Sequence, residues 1–259
     1  MFTSENQIFV VDHKLWDDLA VDYDKSVEDN QTPIITNYLK REIEILTSIC
    51  SNIATSDKNY SIIDMGAGTG RVLFALDKNL KNNSLEFIGV EVSEPMLNRA
   101  NQKNQNYNAS SNIKFLKHDL TESNLPEHFE SSGPTIVMCL YNTLGVIPLD
   151  KRQMFVDNMR SIAGDDGLTI LTAFNGDNFG FVAPKIYRPM MPMIKQIDDN
   201  SFDEKNRIFQ NNLGFRSQWF KQNELKSLLH TEVDPIPIDV KIDDKLHTFG
   251  NVYLDRKIK

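Results

Sequence analysis

The chain has little cysteine. Two occur in 259 residues, Cys50 in a helical pattern and Cys139 in an apolar run, with no C-x-x-C and no cluster with the five histidines. That sets aside a disulfide framework and a recognisable metal site, and it points to a reducing compartment. Long hydrophobic runs are missing too: none approaches the roughly 18 uninterrupted apolar residues of a membrane-spanning helix. The opening "MFTSENQIFV" lacks both the cationic start and the apolar stretch of a signal peptide, so a cytoplasmic protein is expected. Positive charge is in deficit. A formal net charge of -8 repels a phosphate backbone unless cations gather on one face. Stretches such as "KREIE" and "LDRKIK" scatter them among carboxylates instead, so nucleic-acid partners are disfavoured. Internal repeats are absent, and the asparagine-rich "NQKNQNYNASSN" reads as a surface loop.

What is present suits one soluble domain with a sizeable core: 40% hydrophobic and 25% charged residues. Leu15, Trp16, Leu19 and Tyr23 recur at helical spacing in "HKLWDDLAVDYDKSVED". A second helix opens at "TPIITNYLK", with Thr32 suited to the N-cap and Pro33 to the first turn. From "YSIIDMG" onward strands and helices alternate, through "RVLFALDKNL", "LEFIGVEV", "SEPMLNRANQ", "IKFLKHDL", "TIVMCLYN", "LDKRQMFVDNMRSIA" and "GLTILTAF". Such alternation predicts an α/β fold with a doubly wound, mostly parallel sheet. The pattern breaks over 175–205, where prolines at 184, 189 and 192 and methionines at 190, 191 and 193 show no clean period, and a lid or insertion is expected there. Beyond it, "RIFQNNLGFRSQWF" reads as two short strands, "KQNELKSLL" as a helix, and "PIPIDVKID" with "HTFGNVYLDRK" as a closing antiparallel pair.

Three glycines punctuate "SIIDMGAGTGR" directly after an apolar run. A strand running into such a turn and then a helix aims backbone N–H groups and a helix N-terminus at whatever lies above the strand's carboxyl edge. Side chains at Gly66, Gly68 and Gly70 would block close approach or the backbone angles required. The spacing is G-x-G-x-G with an acid, Asp64, two residues ahead, and not the dinucleotide G-x-G-x-x-G. Glu91 ends the next strand 23 positions after Gly68, where an acid can accept both ribose hydroxyls of a nucleotide-like ligand.

"DMGAGTG" resembles the first motif of the class I S-adenosylmethionine (SAM) dependent methyltransferases, and the segments after it follow that family's order from Ser61 to Phe174. The resemblance implies a Rossmann-like seven-stranded sheet with an antiparallel last strand, SAM as the cofactor, and S-adenosylhomocysteine as its product. It divides a single domain into an N-terminal helical cap (1–57), a cofactor core (58–174), a substrate lid (175–217) and a C-terminal helix with closing strands (218–259). By the same resemblance Met96, after Val92 in "VSEPML", lies beside the adenine, Asp119 faces its amino group, and Leu120 offers a backbone N–H. Asp64, which either orients the glycine loop or contacts the cofactor's amino group, and Ala67 belong to the cofactor-binding set, while Cys139 and Leu140 floor the methionine moiety. Tyr23, in "WDDLAVDYD", closes over the methionine carboxylate.

The acceptor side is read from what is missing. The "D/N-P-P-Y/F" sequence of methyltransferases that act on base amines or glutamine amides is absent, and "LYNTLG" stands in its place, similar to the edge found in small-amine enzymes. The expected activity is therefore N-methylation of a small molecule, with Tyr141 and Asn142 as candidate catalytic residues. An O-methyltransferase, or a SAM-binding subunit without catalysis, is the alternative. Trp16, Tyr23, Asn142, Phe174, Arg188 and Trp219 are candidate substrate contacts. Arg188 either meets a substrate carboxylate or faces solvent, and His118, beside Asp119, is either a base or structural. His13, His128, His230 and His247 carry no constellation.

Overall fold

The computed structural model describes residues 13–53, 60–82, 84–122, 134–190 and 193–256. The readings placed on the N-terminal stretch, His128, Met191 and Pro192 fall outside them.

Two helices come first, α1 (His13–Ser26) and α2 (Pro33–Ile53). The core alternates through β1 (Tyr60–Met65), α3 (Arg71–Leu80), β2 (Leu85–Glu91), α4 (Glu94–Asn106), β3 (Asn112–Lys117), β4 (Thr135–Cys139), α5 (Thr143–Val146), α6 (Arg152–Ala163) and β5 (Leu168–Phe174). After α7 (Phe179–Tyr187) come the short strands β6 (Phe202–Asp203), β7 (Ile208–Gln210) and β8 (Arg216–Gln218), then α8 (Gln222–Leu228), β9 (Ile236–Ile242) and β10 (Lys245–Asp255).

Seven strands form one sheet in the order β3-β2-β1-β4-β5-β10-β9, parallel except that β10 runs against both its neighbours. This is the Rossmann-like sheet the sequence predicts. Strands β1, β4 and β5 are buried along nearly their whole length, as a sheet covered on both faces requires. The chain steps from β1 to β2 on one side and returns to β4 on the other, so a crevice opens above the carboxyl ends of β1 and β4. Helix α4 begins where Ser93 accepts the Met96 N–H at 3.4 Å, with Pro95 in the first turn. The other side of Ser93 donates to Asp17 at 2.6 Å, and Asp24 pairs with Arg99 and Lys103. Those bonds tie α1 across α4, over the mouth of the crevice.

The stretch 175–205 departs from expectation in its local structure. Within 175–205, the stretch predicted to lack regular structure, Phe179, Val182, Ala183, Ile186 and Tyr187 bury one side of α7 at spacings of three and four, which is an amphipathic helix. Pro184 sits inside that helix. The N–H it lacks would have met the carbonyl of Gly180, four residues back, on the outer side, so the loss falls where water can replace it. The proline cluster masked the period. "RIFQNNLGFRSQWF" supplies β7 and β8 as predicted, and β6 joins them in a separate three-stranded sheet.

Candidate active site

The crevice is a cavity of about 420 Å³, a size usual for small-molecule sites. One end is polar and built by the loops that follow β1, β2 and β3. Gly66, Gly68, Glu91, Met96, Asp119 and Leu120 all line it. Gly66 holds φ +86°, and a Cβ there would stand 2.8 Å from the Thr143 side chain, so only glycine fits this turn without displacing its neighbour. Glu91 shapes the loop from the next strand: its carboxylate accepts the Gly68 N–H at 2.9 Å and the Val92 and Ser93 N–H groups at 2.9 Å. Asp119 accepts from the Thr121 N–H and hydroxyl at 2.9 and 2.7 Å, which locks the loop after β3. His118 also lines the cavity, and its Nε2 is buried with no hydrogen-bond partner among the described residues.

The other end is apolar. Trp16 and Tyr23 of α1, Phe174 at the end of β5, Tyr187 of α7, Met190 and Phe215 wall it. Aromatic contacts fix several of these rings: Trp16 meets Phe215 edge-on at 5.9 Å between centroids, and Tyr141 meets Phe174 edge-on at 5.5 Å. Tyr23 lies over the glycine loop, with its ring 3.7 Å from where a Gly68 Cβ would be. Burial drives the hydroxyls of Tyr23 and Tyr141 well above the ordinary tyrosine range, so at neutral pH they are donors and not bases.

Tyr141 and Asn142 stand between the two ends. Both are left-handed, at φ +50° and +61°, a costly conformation for non-glycine residues and one the surroundings must enforce. Asn142 is 2% exposed: its Nδ2 donates to Ser217 Oγ and the Gln218 carbonyl at 2.9 and 3.0 Å, and its Oδ1 accepts from the Phe174 N–H at 3.0 Å. That amide therefore joins β4, β5 and β8. Although Asn142 lines the cavity, its hydrogen bonding is committed to scaffold, which suits positioning better than proton transfer.

Beneath the glycine loop lies a charge cluster that the sequence reading missed. Glu42 of α2 is fully buried, and its carboxylate accepts from Arg71 Nη2 at 2.9 Å, Thr172 Oγ1 at 2.6 Å, the Tyr141 N–H at 3.2 Å and the Tyr38 hydroxyl at 3.3 Å. The Arg71 guanidinium carbon is 5.6 Å from the centre of the Tyr141 ring. Asp64, 3% exposed, keeps a buried Oδ1 with no partner among the described residues. Desolvation pushes its carboxyl up to about 7; Arg71 pulls it down, and Glu42 and Glu91 push it further up. The one signal in the sequence was an arginine directly after the third glycine, and nothing local joined it to Glu42.

Several predicted contacts sit elsewhere. Arg188 is outside the cavity, half exposed and paired with Asp199 at 2.6 Å, so it faces solvent. Trp219 is fully buried behind Phe174, with its indole N–H on the Tyr187 hydroxyl at 3.0 Å, and it packs the wall without facing a ligand. Asp64, Ala67, Cys139 and Leu140 are buried just below the lining, whereas Val92 is on it. Gly70 serves packing: a Cβ would come within 2.7 Å of the Phe115 ring.

Residues 62–167 match a family model described as a methyltransferase domain. Among curated proteins, the carboxy-S-adenosyl-L-methionine synthase of Helicobacter hepaticus is 33% identical over 149 residues, 57% of this chain and 58% of that protein. The synthase of the same name from Desulfotalea psychrophila is 34% identical over 65 residues, 25% of this chain and 26% of its own length. The chain thus spans from about a quarter to three fifths of these relatives. Among solved structures, the CcbJ methyltransferase from Streptomyces caelestis superposes with a TM-score of 0.62 at 17% identity, covering 95% of this chain and 98% of that one. Magnesium protoporphyrin IX methyltransferase from Synechocystis with bound S-adenosylhomocysteine gives 0.60 at 14% identity, covering 93% and 95%. The chain therefore has the fold of the SAM-dependent methyltransferases, with a methyltransferase-domain match over residues 62–167.

Proposed function

We propose that the chain transfers a methyl group from SAM to the nitrogen of a small acceptor with a flat, apolar body. The observation that carries the reading is the continuity of one cavity from the Glu91 and Asp119 loops to the aromatic chamber of Trp16, Phe174 and Phe215. The polar end suits the cofactor. Glu91 would hold the ribose, Asp119 and the Leu120 N–H the adenine edge, and Met96 its face, while the unpartnered Asp64 Oδ1 beneath the loop suits a cationic ligand.

When bound, SAM supplies a methyl carbon already activated by its sulfonium. The acceptor nitrogen's lone pair forms the new C–N bond as the C–S bond breaks, and its electrons go to sulfur. The chain's own residues then have to align, desolvate and exclude water. Tyr141, held left-handed at the junction of the two ends, fixes the floor of that alignment. The apolar chamber disfavours a charged ammonium and so keeps the amine neutral and nucleophilic. Met190 and Met193 provide an adaptable wall.

Incubation with methyl-labelled SAM and a panel of aromatic and aliphatic amines, carboxylic acids and phenols tests this. Label is expected in amines with a ring or an apolar chain; methylation of oxygen acceptors alone overturns it. The relatives named carboxy-S-adenosyl-L-methionine synthase favour a second reading, in which SAM itself is converted to a carboxy derivative. Recovery of a carboxylated nucleoside by mass spectrometry would establish that one instead.

A further inference from the structure

We propose that the Tyr187 hydroxyl donates a hydrogen bond to the small molecule in the apolar chamber, and that this molecule offers it a neutral lone pair, such as a ketone or amide carbonyl. The inference rests on the reading of that chamber as the acceptor site and narrows the class of molecule it takes.

The hydrogen bonds around Tyr187 leave its proton unclaimed. The Phe174 N–H, at 3.0 Å, fixes Oδ1 as the accepting end of the Asn142 amide, so Nδ2 faces Ser217 and donates to its Oγ at 2.9 Å. Ser217 keeps its own proton to give, and it acts as a donor on the Tyr187 oxygen. The Trp219 indole N–H, which can only donate, meets the same oxygen at 3.0 Å. Donors from two residues thus converge on that oxygen, and no acceptor among the described residues takes its O–H. Burial pushes the hydroxyl up to about 12, against the two hydrogen bonds that lower it, so the proton is present at neutral pH. A buried donor without a partner is costly, and a ligand that accepts from it removes that cost.

Tyr187 is held for this role. It is the last residue of α7, it is 3% exposed, and its ring stacks on Phe209 at 3.9 Å between centroids. Tyr187 and Ser217 both line the cavity. Burial dominates the upward shift of the Tyr141 hydroxyl and Tyr187 adds to it, so the two phenols are near neighbours where the polar and apolar ends join.

The lining selects the kind of lone pair. Glu91, Asp119 and Glu122 end or follow β2 and β3, and Asp150 and Lys151 precede α6, whose Asn158 bonds the carbonyls of Leu120 and Glu122. These charges therefore belong to the polar end. Among the described residues that wall the apolar end, none is charged. A carboxylate or phosphate there would exchange its hydration for a single neutral donor, whereas one donor suits a carbonyl.

The test loads the full chain with S-adenosylhomocysteine and titrates into it, by calorimetry, the ring isomers of aminoacetophenone, ethylaniline and aminobenzoate. The wild type is expected to bind the best aminoacetophenone about 3- to 10-fold more tightly than its ethyl counterpart, the weight of one neutral hydrogen bond, and the aminobenzoates most weakly. Tyr187→Phe keeps a ring against Phe209 and is expected to lose that preference while holding S-adenosylhomocysteine as the wild type does. A role confined to packing would weaken the ketone and the ethyl compound alike. The melting temperature of the variant is followed alongside, because the Trp219 N–H loses its acceptor; the wild-type order of ligands tests the proposal whether or not the variant folds. The proposal is overturned if the wild type favours the ethyl or carboxylate compounds, if no ketone isomer binds, or if the folded variant keeps the wild-type preference. The expected order in a protein that methylates no amine supports this inference and removes the N-methylation reading alone. A wild type that takes no S-adenosylhomocysteine overturns the SAM reading, and this inference with it.

Discussion

Glu42 and Tyr141 lie 99 positions apart, and the carboxylate of the first accepts the backbone N–H of the second at 3.2 Å. That bond crosses from an N-terminal helix to the left-handed turn on the cavity floor, and the same carboxylate holds Arg71.

Removing one partner of a buried pair leaves the other charge uncompensated. Glu42→Ala is therefore expected to destabilise the protein by about 3 to 5 kcal/mol, whereas Glu42→Gln, which keeps an acceptor for Thr172 and Tyr141, should cost less. Urea denaturation of the three proteins measures the order; equal loss for both variants would contradict it.

Asp64 gives the stability a slope with pH. Its carboxyl sits at about 7 in the folded protein, against about 3.9 when unfolded. Between those values the folded state holds a proton that the unfolded state has released. Stability without ligand should therefore fall as pH rises from about 4 to 7, by up to about 1.4 kcal/mol per unit, and then level off. Asp64→Asn should remove that contribution. A cationic ligand favours the ionised acid, so SAM binding near neutral pH should release protons, read by calorimetry in buffers of different ionisation enthalpy. Denaturation curves of wild type and Asp64→Asn that stay parallel across this range would contradict the assignment.

Two glycines with similar backbones separate strain from fit. Gly66 at φ +86° has the Thr143 side chain 2.8 Å from a would-be Cβ, whereas Gly214 at φ +92° has nothing within 4 Å. Alanine at either position should cost about 1 kcal/mol or somewhat more in backbone strain. Only Gly66→Ala should also weaken SAM binding, by tenfold or more on the scale of about 1.4 kcal/mol per decade.

Arg188→Ala is expected to leave both stability and acceptor KM nearly unchanged. Its partner Asp199 is 94% exposed, and such surface pairs contribute about 0 to 1 kcal/mol. A large rise in KM would restore Arg188 to the substrate site.

Much of this site is written locally. The glycine spacing, Glu91 at the end of β2 and Asp119 just beyond β3 each follow from a strand pattern and the residue that ends it, and the structure sets all three on one cavity. The alternation of strands and helices fixes the sheet in the same way. What escaped the sequence depends on contacts between distant elements. Glu42 lies on a helix whose apolar period reads as ordinary core, and neither Arg71, 29 positions on, nor Thr172, 130 positions on, is foreshadowed there. The period of α7 was hidden by Pro184, which the helix tolerates because the lost bond faces outward. Trp219 follows β8, and which way a short strand's end turns is decided by the Tyr187 hydroxyl it meets.

In the reading proposed above, the Glu91 and Asp119 loops hold the sugar and the purine of one nucleoside cofactor. The decisive measurement is a calorimetric titration of SAM into the wild type and into the double variant Glu91→Gln with Asp119→Asn. A variant that melts cooperatively yet binds SAM about 100-fold more weakly, the sum of two lost charge-assisted contacts, is the result expected. Unchanged affinity in that folded variant would rule out a cofactor held by these two loops.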